Sequence, residues 1–137
     1  MDIDATIHDL KKMVSDFRDE RDWRKYDTPK NLAVSICIEA AELLEHFQWK
    51  NDEEINRMIR EEEKKNEVSD ELADVVIYCL GLSDILEIDI AEALKQKLEK
   101  NRRKYPALKT EVSPRKSTLE DTGEQQVLRR PKRLLQV

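Results

Sequence analysis

Two stretches of this chain, around residues 29–47 and 67–82, are apolar around most of a helical circumference and are broken only by one narrow line of carboxylates. At 100° per residue, Ser35, Glu39, Glu42 and His46 share a stripe about 60° wide, with Leu32, Ile36, Ile38 and Leu43 among the residues around it. Glu67, Glu71, Asp74 and Tyr78 repeat the arrangement between Val68, Leu72, Val75 and Val76. A helix apolar nearly all round must bury its flanks, so the two acidic lines are expected at a helix–helix seam. Neither stripe contains Lys or Arg, unlike the broad, mixed-sign face of a solvated helix. Carboxylates gathered at a seam repel one another and are costly to desolvate unless a cation neutralises them. Glu39, Glu42, Glu71 and Asp74 are therefore candidate ligands for a hard divalent ion, Mg²⁺ or Mn²⁺, because the donors are all oxygen. A di-iron bundle needs Glu-x-x-His pairs, and His46 follows Glu42 by four residues.

The rest of the chain supports an all-α domain. It has two glycines and four prolines in 137 residues, and no segment alternates apolar and polar residues with the period of a strand. Four helical patterns emerge: about Ile3 to Glu20; Pro29 to about Phe47, with Thr28 as cap; roughly Asp52 to Leu82, with a break near Asn66; and near Asp89 to just before Pro106. Residues 110–137 differ in kind, lacking aromatics and ending in Arg129-Arg130-Pro131-Lys132-Arg133, and are expected to be a weakly ordered basic tail on a domain of residues 1–109. The formal charge is −5, with the acidic excess in the body, which argues against a nucleic-acid-coating surface. The longest apolar stretch, Val75 to Leu82, is too short to span a bilayer, and the charged first twenty residues do not resemble a signal peptide, so a cytoplasmic location is expected. Cys37 and Cys79 lie in apolar runs and read as reduced core thiols, with no zinc-site spacing.

A magnesium site of carboxylates completes its shell with phosphate oxygens, which points to a phosphate ester or anhydride as substrate. On the fourth helix Lys97, Asn101 and Tyr105 lie one turn apart and either meet that phosphate or simply favour the helix C-terminus electrostatically. Trp23 and Trp49, the two tryptophans, sit at helix edges, where they either cap the bundle or offer flat faces to a nucleobase.

Six segments in order carry a family likeness: Phe17-Arg18-Asp19-Glu20-Arg21-Asp22-Trp23, Pro29-Lys30-Asn31-Leu32, Glu39-Ala40-Ala41-Glu42-Leu43, Phe47-Gln48-Trp49, Glu71-Leu72-Ala73-Asp74-Val75 and Asn101-Arg102-Arg103-Lys104-Tyr105-Pro106. Together they resemble the MazG-like all-α nucleoside triphosphate pyrophosphohydrolases over residues 7–106, and the dCTP pyrophosphatase branch in particular. The resemblance implies a four-helix bundle whose helices pack across subunits in a homo-oligomer, a tetramer rather than a dimer. It also implies magnesium-dependent cleavage of a deoxynucleoside triphosphate, dCTP or a modified dCTP, to monophosphate and pyrophosphate. By the same resemblance Glu39, Glu42, Glu71 and Asp74 hold the metal, and Trp23 and Trp49 hold the base. Lys97, Asn101 and Tyr78 contact phosphate or sugar, and Glu42, with Glu39 beside it, handles the attacking water. Attack at the α or the β phosphorus gives the same products. Val14 stands where the branch carries a histidine in its nucleotide pocket. The alternatives are a dUTP-directed relative, a phosphoribosyl-ATP pyrophosphohydrolase, or a non-enzymatic helical interaction module.

Overall fold

The computed structural model describes residues 4–107, and every described element is helical. The chain divides after Pro106, and the five helices below belong to the unit Met1–Pro106. The expected basic tail, residues 110–137, lies outside the described residues.

Helix α1, Ile7–Asp19, starts four residues later than the apolar pattern alone suggests because Thr6 builds a capping box: its hydroxyl accepts from the Asp9 amide while Asp9 accepts from the Thr6 amide. Past Asp19 the chain enters the left-handed region at Asp22 (φ 53°) and forms a 3₁₀ turn, Trp23–Lys25. Helix α2, Pro29–Glu45, begins at the expected Thr28 cap, with proline in the first turn where it forfeits no hydrogen bond.

The third pattern is two helices rather than one, and the break falls at Ile59–Glu61 instead of near Asn66. Helix α3, Asp52–Met58, is capped by Asn51 with Glu54 answering from its third position. Helix α4, Glu62–Ile85, opens on acids that favour the positive end of a helix dipole, so Glu61-Glu62-Glu63 marks a start rather than a solvated middle. Helix α5, Ile90–Lys104, is capped by Asp89. Between α4 and α5, Glu87 takes a positive φ of 53°, the Ile88 amide donates back to the Ser83 carbonyl at 2.8 Å, and Lys11 of α1 ties the turn down by donating to the carbonyls of Ser83 and Ile88 at 3.3 Å each.

Helix α2 packs lengthwise on α4, and α1 packs on α4 beside it. Leu32, Met58 and Leu80 are the buried apolar side chains of this seam and its margin. Helix α5 has no extensive contact with the other described helices and buries no residue. Leu94 and Leu98, on its apolar stripe, are 51% and 53% exposed. The cysteines do not form a buried pair of core thiols: both are free, Cys79 is half-buried, and Cys37 faces outward because only part of α2 meets α4.

Candidate active site

The seam between α2 and α4 brings the acidic lines face to face. Oxygens of Glu39 and Glu42 from α2 and Glu71 from α4 lie within 4.8 Å of one another. Asp74, one turn beyond Glu71, adds its field to theirs. Among the described residues none of the four is in an ion pair with Lys or Arg. Burial, then the charges of Glu42, Asp74 and Glu71, raises the Glu39 carboxyl above its ordinary value. Burial, followed by Glu42 and Asp74, raises Glu71, partly offset by His46. Four carboxyl groups gathered with no cation beside them among the described residues have the donor set that suits a divalent ion.

Two depressions flank the cluster. One is an apolar cleft of about 1000 Å³ along α1 and α4, lined by Val14, Phe17, Trp23, Asp74 and Tyr78 among others. Trp23 stands edge-on to Phe17, with ring centroids 5.6 Å apart, and Arg21 covers the Phe17 ring at 3.6 Å. The turn carrying Trp23 is tied down on its outer side by Arg24, which bonds Asp19 and Ser15 of α1 and lies 3.6 Å from Asp84 of α4. The other depression, about 960 Å³, is polar, and Glu42 and Glu71 share its wall with His46, Lys50, Arg57 and Lys64. Lys64 is already held by Glu67 at 2.8 Å.

Of the residues singled out by sequence, the single chain gathers Glu39, Glu42 and Glu71 in one cluster, with Asp74 at its edge, and sets Trp23 and Tyr78 in the adjoining cleft. It does not bring in the rest. Trp49 is 86% exposed beyond α2, and Lys97 and Asn101 on α5 line neither depression. Sequence reasoning passed over Arg18, Asp27 and Asn31 in the cleft and Lys50, Arg57 and Lys64 in the polar groove. Arg18 left a signal: it follows Val14 by four residues, so it interrupts the apolar stripe of α1. Lys50 and Arg57 left none, since α3 had not been resolved from α4.

A model of the MazG-like family matches residues 34–118, which include both acidic lines. The chain belongs to the MazG-like family. Among curated proteins, this MazG-like chain is 35% identical to dCTP pyrophosphatase 1 of Homo sapiens over 115 residues, 84% of the chain and 68% of the relative. It is 34% identical to the Bos taurus protein of the same name over 103 residues, 75% of the chain and 61% of the relative. The chain thus spans 61% of the Bos taurus relative's length and 68% of the human one's. Among solved structures it resembles a pyrophosphatase from Archaeoglobus fulgidus, at 55% identity and a TM-score of 0.66, covering 73% of this chain and 92% of that one.

Proposed function

We propose that this protein is a magnesium-dependent nucleoside triphosphate pyrophosphohydrolase that cleaves dCTP, or a modified dCTP, to the monophosphate and pyrophosphate. The observation that carries the reading is the convergence of Glu39, Glu42 and Glu71 beside an apolar cleft that holds an aromatic wall, Trp23. The names of the curated relatives, dCTP pyrophosphatase 1, supply the choice of nucleotide.

Glu39, Glu42, Glu71 and Asp74 would hold the metal, and an all-carboxylate set suits Mg²⁺ or Mn²⁺. Bound there, the ion supplies Lewis-acid stabilisation of charge building on the phosphate oxygens. Glu42 is the exposed member of the three converging carboxylates and therefore the one water reaches. It takes the proton of the attacking water, with Glu39 beside it, while the bond between the α phosphate and the pyrophosphate group breaks and the group not attacked leaves. Trp23 stacks on the base, and Tyr78, one turn along α4 from Asp74, meets the sugar or phosphate. Trp49, Lys97 and Asn101 act in this scheme from a second copy of the chain, in a cytoplasmic homotetramer with sites at subunit contacts. The uncovered apolar stripe of α5 is the surface that supports such packing.

The test is a panel of nucleoside triphosphates with Mg²⁺, scored for pyrophosphate against orthophosphate. Pyrophosphate from dCTP in preference to dUTP supports the reading. Absence of metal-dependent turnover on every nucleotide overturns it and leaves the helical interaction module. Running the reaction in ¹⁸O-water places the label on the product whose phosphorus was attacked.

A further inference from the structure

Two energetic costs meet at one point of the apolar cleft. The first is Arg18, a cation only 5% exposed. Its Nε donates to Asp27 Oδ2 at 2.7 Å, and Nη2 lies 2.7 Å from the same oxygen without the angle of a hydrogen bond. Nη1 and Nη2 are thus buried with no hydrogen-bond partner among the described residues. A buried donor without a partner is destabilising, more so when charged, and each such group in a native fold calls for an explanation. The second cost is Gly81, in the interior of α4, where alanine would hold the helix better. The two are connected, because a Cβ on residue 81 would stand 2.8 Å from Arg18 Nη1. The glycine makes the slot in which the guanidinium lies.

We infer that Arg18 and Asp27 form a specificity pair that reads the hydrogen-bonding edge of the substrate base, and that together they select cytosine. The inference rests on the pyrophosphohydrolase reading above. Arg18, Asp27 and Gly81 line the same cleft as Trp23, Asp74 and Tyr78, and Gly81 lies about 10 Å along α4 from Asp74, seven residues at 1.5 Å each. The phosphate end of the cleft and the Arg18 end are therefore separated along the helix, with the aromatic wall belonging to the latter. Arginine offers donors only and an ionised aspartate acceptors only. Cytosine presents two adjacent acceptors, its carbonyl oxygen and unprotonated ring nitrogen, beside an amino donor. Nη1, and Nη2 once it turns from Asp27 Oδ2, match the former, and the Asp27 carboxylate the latter. Uracil and thymine instead place an N–H between two carbonyls, which sets a carbonyl oxygen against the carboxylate. Guanine offers one acceptor and two donors on its pairing edge, and two acceptors but no donor for Asp27 on its O6/N7 edge. Both nitrogens are shielded in the single chain, so the contact requires a side-chain rotation as the base enters. With Val14 one turn before Arg18, this pair supplies polar recognition on a stripe that is otherwise apolar.

The experiment measures kcat/KM for dCTP, dUTP and dGTP with Mg²⁺ on full-length wild type, Arg18→Met and Asp27→Asn. Each preparation is reported as a ratio between substrates, so a change in its folded fraction cancels. The expected result is that wild type prefers dCTP, and that the dCTP-to-dUTP ratio falls about tenfold or more in Arg18→Met, because a site built to pair a polar edge loses discrimination when its partner is removed. Asp27→Asn should lower the same ratio, since an amide can donate to the uracil carbonyl. A wild type that hydrolyses dCTP but shows the same ratio in both variants overturns the specificity pair and leaves Arg18–Asp27 as a structural tie. So does a wild type that prefers dUTP or dGTP. A wild type with no triphosphate turnover overturns the pyrophosphohydrolase reading instead.

Discussion

The seam between α2 and α4 and the outer face of α5 are both amphipathic surfaces, yet the chain treats them oppositely. At the seam Leu32 and Leu80 are buried and the carboxylates of two helices are forced together, whereas Leu94 and Leu98 on α5 remain about half exposed although they recur at regular helical spacing. The same contrast divides the candidate site. Its acidic residues gather within one chain, while Lys97 and Asn101 stay on a helix with no extensive contact to the other described helices. One chain can thus gather a carboxylate cluster from local periodicity and one helix pairing, while a second apolar stripe stays about half exposed among the described residues, and the proposed homo-oligomer would bury it.

The largest effect that would test the contrast is at the seam. Chelation of divalent ions should abolish turnover, and Glu71→Gln should lower it at least tenfold while far-UV CD is kept. Wild-type turnover by Glu71→Gln would show that the acidic cluster is not the reaction centre. On the α5 side, charges in the exposed stripe should act on assembly and not on the seam. Leu94→Asp with Leu98→Asp should shift the sedimentation mass from oligomer to monomer and preserve the helical signal. A wild-type protein that is already monomeric at micromolar concentration would break the comparison outright.

A smaller effect separates the two tryptophans. Loss of a stacked aromatic costs about ten- to a hundredfold in binding, so Trp23→Ala should raise KM for dCTP by that factor with a lesser change in kcat. Trp49→Ala should do the same only in the oligomer. Equal effects on inorganic triphosphate, which has no base, would make both tryptophans structural caps.

The smallest effect is in pH dependence without metal. Glu39 and Glu71 have folded-state pKa values raised above the ordinary 4.5, so just above that pH the native state holds more protons than the unfolded one. Their contribution makes the metal-free protein lose stability as pH rises from about 4.5 through the raised values, the reverse of a salt-bridged carboxylate. Denaturant midpoints across that range should show the fall in wild type, a shallower one in Glu71→Gln, and its reversal when Mg²⁺ is added.

Much of this was legible in the residues because it is periodic. The all-α class, the cap at Thr28, the start of the last helix near Asp89, and the convergence of Glu39, Glu42 and Glu71 follow from helical spacing, from capping chemistry and from the need of an apolar flank to be covered. The boundary between α3 and α4 was misplaced because Asn66 looks like a stop, while the three glutamates at 61–63 are a start only once a preceding turn ends at Met58. The tertiary structure alone decided which apolar faces meet. It put Cys37 outside, left Trp49 and the apolar stripe of α5 exposed among the described residues, and laid Arg18 of α1 across Gly81 of α4. Periodicity in a sequence determines which side of a helix seeks burial, but the identity of the covering surface depends on the competition among all faces for one another, and no spacing along the chain records its outcome.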